Sequence, residues 1–131
     1  MSKEENIKIH ETAFVTSTFR AFDENLSKDN FAKLWQNSTT ENWIKEYLEQ
    51  VSSEEIFTHC LRNRYFLDIV KDLIQNQGIQ AVINFGSGFS MYPFLLNENI
   101  VHIEIDKPDI VNYKKNQIEE WQEKKIIPKN R

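Results

Sequence analysis

Three residues in this sequence have the types and spacing to do chemistry together: Gly86 and Gly88, either side of Ser87, and Asp106. The glycines follow the apolar run "AVINF", and Asp106 ends a second run, "VHIEI". Glycine lets a backbone turn sharply and lets a ligand approach the main chain without a Cβ in the way. A carboxylate at the end of the next strand can accept hydrogen bonds from both hydroxyls of a ribose. In open α/β sheets the C-terminal ends of the strands form the ligand crevice. Gly88 and Asp106 stand about 18 residues apart, close to the ~20 of the dinucleotide fingerprint. The third glycine of that fingerprint is missing, since Phe89, Ser90 and Met91 follow Gly88. A structural turn with a solvated acidic strand end is the plain alternative. Glu104 and Asp106 alternate along their run, so only one of them can line a crevice.

These residues need strands and helices to hold them. "QAVINF" and "NIVHIEI" are short, rich in β-branched residues and bounded by turn formers. They read as parallel strands, and their near-continuous apolarity implies burial on both faces. Pro93 suits the first turn of a short helix starting near Tyr92. Beyond Pro108, "DIVNYKKNQIEEWQEKK" reads as an amphipathic helix. Its inward residues would be Ile110, Val111, Ile118 and Trp121, and Pro128 would end it.

The N-terminal part reads as helices. Ala13 to Phe22 carries a mostly apolar face. "SKDNFAKLWQN" has a candidate cap at Ser27, and "TTENWIKEYLEQV" one at Thr40. Ser52 and Glu55 have capping-box spacing, with Val51 and Ile56 placed as a hydrophobic staple. The long helix that follows would stop at Gly78, which can take the left-handed conformation. The order is four helices, then β-α-β-α: an α/β chain with helices at 7–78 and a nucleotide-type half-sheet at 79–131.

Composition narrows the function classes. The chain has 131 residues, 40% of them hydrophobic, which allows one domain with a core. Its formal charge is −4, so nucleic acid is not the expected partner. A single cysteine, Cys60, allows neither an internal disulfide nor a zinc motif; a small buried residue is its plain reading. The N-terminus is charged, no run approaches the ~20 apolar residues of a membrane span, and a cytoplasmic location is expected.

Four segments together resemble the leucine carboxyl methyltransferase family, a branch of the class I S-adenosylmethionine-dependent methyltransferases. They are "TAFVTSTFRAF", "LRNRYFLDIVKDLI", "VINFGSGFSMYPFLL" and "HIEIDKPDIVNYKK", the last with a Glu-x-Asp-x-Pro pattern and a following lysine. The resemblance implies a Rossmann-like fold, S-adenosylmethionine as cofactor and an oxygen, such as a carboxylate, as methyl acceptor. It implies that Gly86 and Gly88 lie against the cofactor's amino-acid part and that Asp106 holds the ribose hydroxyls. Arg62 would reach the methionyl carboxylate, with Arg64 as the alternative if the register slips. Arg20 matches a basic position facing the cofactor. Without the resemblance, each arginine reads as a solvated or surface-paired side chain.

The sequence departs from the family twice. Ser90-Met91-Tyr92 stands where the family has an Asp-Thr-Arg-like triplet. No third strand is read after Pro128, so the adenine and acceptor sides are not expected within these residues. The resemblance therefore implies the first part of a methyltransferase, with little activity alone and an open sheet edge able to self-associate. Two other readings remain open: a small α/β interaction or regulatory module without cofactor, and part of a nicotinamide-binding oxidoreductase. The oxidoreductase reading fits the glycine-to-aspartate spacing but not the arginine-bearing helix.

Overall fold

The computed structural model describes residues 11–50, 52, 54–96 and 99–129. Among these, the elements are α1 (Glu11–Phe22), α2 (Glu24–Ser27), a 3₁₀ turn (Ala32–Trp35), α3 (Ser38–Gln50), α4 (Glu54–Gln77), β1 (Ala81–Phe85), α5 (Tyr92–Leu95), β2 (Val101–Ile105) and α6 (Pro108–Glu123). The chain forms two compact units, 1–69 and 70–131, divided within α4.

The first unit is helical. Its core holds Ala13, Phe14, Phe19, Ala32, Trp35, Ile44, Cys60 and Leu67. Helix α1 also buries Ser17 and Thr18, poor helix formers in principle. Both hydroxyls donate back to the Phe14 carbonyl, at 2.9 and 2.7 Å. Burial then leaves no hydroxyl unsatisfied. Thr18 also bonds the Thr40 hydroxyl at 3.3 Å, tying α1 to α3.

The caps differ from the sequence expectation. Ser27 ends the short α2, and its hydroxyl donates to the Arg20 carbonyl at 2.9 Å. Asp29 caps the 3₁₀ turn instead, its Oδ1 accepting from the Phe31 and Ala32 amides at 3.1 and 3.0 Å. Asn37 takes the role expected of Thr40, accepting from the Thr40 amide at 2.9 Å. Asn37 over Thr40 is in line with cap preferences; Ser and Asp cap about equally well, and Ser27 is engaged elsewhere, with the Arg20 carbonyl. The Ser52 hydroxyl accepts from the Glu54 amide at 3.2 Å. Glu55 faces His59, at 3.7 Å, rather than completing the box. Val51 lies outside the described residues, so the staple does too. Gly78 ends α4 with φ +66, as expected.

In the second unit β1 and β2 form a parallel, two-stranded open sheet. Its register sets Ala81 opposite Val101, Ile83 opposite Ile103 and Phe85 opposite Ile105. Parallel pairing agrees with the apolar runs; two-sided burial does not. Phe85 is 75% exposed, and Ile83, Val101, Ile103 and Ile105 are exposed with it. Period-2 geometry puts these on one face. The other face carries Val82, Asn84, His102 and Glu104, which are half-buried. An apolar strand buries both faces only when both have a covering layer.

Two further expectations about α6 need correction. Val111 is exposed, and Lys114 is the residue of this helix that is buried. The helix ends before Pro128, at a left-handed Lys125 with φ +57. The Ile126 amide reaches the Trp121 carbonyl at 2.8 Å, and the Lys125 amide reaches Gln122 at 3.1 Å. That bonding pattern closes a helix without proline.

Candidate functional site

The glycine turn is built by the end of β2. The Gly86 amide donates to the Ile105 carbonyl at 2.7 Å, continuing the ladder one step past β1. Gly86 and Gly88 both hold positive φ, +66 and +49. A Cβ added at Gly86 would meet no heavy atom within 4 Å. The glycine is there for its backbone angle and leaves the main chain open to approach.

Asp106 closes the turn. Its Oδ2 accepts from the Gly88 amide at 2.8 Å, and its Oδ1 from the Lys107 amide at 2.7 Å. A carboxylate oxygen has two acceptor positions, so each oxygen keeps capacity for a further donor. A vicinal diol offers two such donors. Three of the residues singled out by the sequence, Gly86, Gly88 and Asp106, thus meet at the C-terminal end of a parallel strand pair. Glu104 lies on the opposite face, as its alternation implied, and is not a solvated strand end: it pairs with Lys114 at 2.8 Å.

The far end of the turn is held by residues that spacing did not single out. The Ser90 amide donates to the Ser87 carbonyl at 3.0 Å. Asn84 donates to the Ser90 hydroxyl at 2.9 Å, and Lys114 Nζ to the Ser90 carbonyl at 2.6 Å. Phe89 is buried, its ring centroid 5.8 Å from that of Tyr113. Lys114 belongs to the lysine pair that follows the acidic pattern, which was its only signal in the sequence.

The arginines lie in the helical unit. Arg20 Nε meets Asp29 Oδ2 at 2.9 Å, with both side chains largely buried. Arg62 is exposed on α4, and Arg64 makes an exposed ion pair with Asp68 at 3.6 Å. His59 stacks on Phe19 at 4.5 Å. Its pKa is lowered from the ordinary value by burial; Glu55 opposes this, while the charges of Arg62 and Arg20 add to it. Both arginines therefore share the neighbourhood of His59. Asp29, Arg20's partner, was legible only as part of a polar stretch before a helical run.

Among the described residues no group of three or more His, Cys, Asp or Glu stands ready to hold a metal ion, and no helix is long and apolar enough to cross a membrane.

The class that these elements define is a mixed α/β one, with a parallel strand pair, a glycine turn and a strand-end carboxylate. The family model for leucine carboxyl methyltransferase matches residues 12–127. The chain belongs to the leucine carboxyl methyltransferase family. No curated protein and no solved structure gave a match.

Proposed function

We propose that this chain provides the ribose and amino-acid side of an S-adenosylmethionine site serving methyl transfer to an oxygen, a carboxylate being the family-implied acceptor. The observation that carries this reading is the bond between the Gly88 amide and Asp106, at 2.8 Å. It fixes a carboxylate with spare acceptor capacity beside an approachable glycine backbone. In the proposed arrangement Asp106 accepts the two ribose hydroxyls, and the main chain at Gly86 and Gly88 lies along the amino-acid part. Arg62, or Arg64 in its place, and Arg20 are assigned to the cofactor on the family likeness alone; their bond to the methionyl carboxylate would be charge-assisted.

When bound, S-adenosylmethionine supplies a methyl carbon on a positively charged sulfur that leaves without acid assistance. The protein's task is then alignment of acceptor, methyl and sulfur, which is a proximity effect. Two strands offer one side of a crevice. We therefore expect cofactor binding to be measurable and methyl transfer by this chain alone to be weak.

The test is calorimetric titration of the purified chain with S-adenosylhomocysteine, beside Asp106→Ala. Saturable binding that weakens at least about 10-fold in the variant supports the site, given the usual strength of hydrogen bonds to a charged group. A folded chain that does not bind removes it.

A second reading rests on the exposed row Ile83, Phe85, Ile103 and Ile105. On this reading the chain is an α/β interaction module whose uncovered apolar sheet face packs against a second copy. Sedimentation velocity across a concentration series decides it: a monomer throughout eliminates the self-associating module.

A further inference from the structure

We infer that Lys114 is a positioning residue for the glycine turn, holding the loop in its ligand-ready shape through the Ser90 carbonyl. This rests on the proposed cofactor site for its purpose, but not for its geometry. The Lys114 side chain is 6% exposed, unusual for a lysine. Its Nζ donates to the Ser90 carbonyl at 2.6 Å and to the two Glu104 oxygens at 2.9 and 2.8 Å.

The geometry explains why a charge is kept there. The near end of the loop is tied directly to the end of β2, through Gly86 to Ile105 and Gly88 to Asp106. Its far end, at Ser90, reaches β2 through Lys114, because Lys114 is itself anchored on Glu104. Asn84 adds a tether from β1 to the Ser90 hydroxyl at 2.9 Å. Without Lys114 the far end keeps only the Asn84 bond to the Ser90 hydroxyl, and Gly88 leaves Asp106 more readily. A buried ion pair is weak evidence for a gain in stability, since desolvation offsets much of the attraction. What this pair provides beyond stability is a donor aimed at a loop carbonyl.

That distinction sets the experiment. Lys114→Met alone strands Glu104 as an unpaired, partly buried charge and confounds loop order with stability. The informative variant is Lys114→Met/Glu104→Leu, which replaces the pair by apolar side chains. The readouts are the thermal unfolding midpoint, the exchange rate of the Gly88 amide in ¹⁵N-labelled protein, and S-adenosylhomocysteine titration.

The expected result is an unfolding midpoint close to that of the parent, with the Gly88 amide exchanging about 10-fold faster or more, as for a locally opened segment. Affinity for S-adenosylhomocysteine falls with it. Wild-type exchange at Gly88 in this variant would overturn the inference. As a second variant, Glu104→Gln keeps an acceptor for Lys114 but leaves its buried charge unpaired; once any fall in unfolding midpoint is allowed for, Gly88 protection should stay within about 3-fold of the parent. If Glu104→Gln loosens Gly88 fully, the Ser90 tether is not what holds the loop, and the inference also fails. Should Gly88 loosen as expected while the parent chain binds no S-adenosylhomocysteine, the positioning role stands and the cofactor reading falls.

Discussion

The backbone amide of Gly88 donates to the side chain of Asp106 across 2.8 Å. Residues from two separate apolar runs thus form one unit, in which the carboxylate orders the turn. Asp106 also accepts from the Lys107 amide at 2.7 Å. Asp106→Asn can keep one of these bonds and loses the charge; Asp106→Ala loses both. We expect urea unfolding to show a loss of about 1–2 kcal/mol for Asn and more for Ala, from the strength of hydrogen bonds to charged acceptors. Equal losses for the two variants would mean that the amide bonds to Asp106 contribute little.

Gly86 separates conformational cost from ligand contact. Its φ is +66, and an added Cβ meets nothing within 4 Å. Gly86→Ala should therefore cost only the left-handed penalty, about 1–2 kcal/mol. A ligand lying on the main chain would meet the new methyl. Affinity for S-adenosylhomocysteine should then drop by more than the stability loss explains. Unchanged affinity would move the ligand away from Gly86.

Asp29 is the acceptor on which the first unit depends. It is 1% exposed and holds Arg20 Nε together with the amides of Phe31 and Ala32. Asp29→Ala should cost about 3 kcal/mol, as expected when one partner of a buried pair is removed. Asp68→Ala breaks the exposed pair with Arg64 and should cost about 0.3–0.5 kcal/mol. Denaturant curves for both variants check the contrast, and similar values would deny Asp29 its role.

His102 gives the fold a pH dependence. Burial lowers its pKa from the ordinary 6.5, with the Glu104 charge opposing more weakly. Its Nε2 is buried and has no hydrogen-bond partner among the described residues. The unfolded chain therefore takes up a proton that the folded chain resists. The neutral imidazole's full contribution is present above the unfolded pKa and is lost as pH falls below it toward the folded value. The thermal midpoint should decline from about pH 7.5 to about pH 5.5, and less so in His102→Gln. His59 titrates in the same sense, its pKa also lowered chiefly by burial, so His59→Gln/His102→Gln should be flatter still. An unchanged pH profile in the double variant would refute this account.

Cys60 should be chemically silent. It is fully buried, burial pushes its thiol pKa up, and Sγ donates to the Phe19 carbonyl at 3.3 Å. A thiol reagent at neutral pH should label it only in denaturant. Rapid labelling of the native chain would show that α1 and α4 separate readily.

The sequence by itself determined the order of the longer helices and of the two strands, the stop at Gly78, the parallel pairing of two β-branched runs and the meeting of the glycine turn with Asp106; the run expected as a second helix is a 3₁₀ turn preceded by the short α2. Each follows from local chemistry: helical and strand periods, glycine's backbone freedom, and the C-terminal ends of parallel strands. Four segments in combination also carried the family. Tertiary structure decided what depends on competition among distant groups. Asp29 and Asn37 took the caps because their side chains lie nearest the free amides. The outer face of β1 and β2 stayed exposed because an apolar strand cannot announce whether a second layer covers it. Lys114 was drawn inward, against its usual preference for solvent, because Glu104 from β2 and the Ser90 carbonyl converge where its ammonium ends. No spacing rule shows such convergence, since the partners come from a strand, a loop and a helix that meet only once the chain has folded.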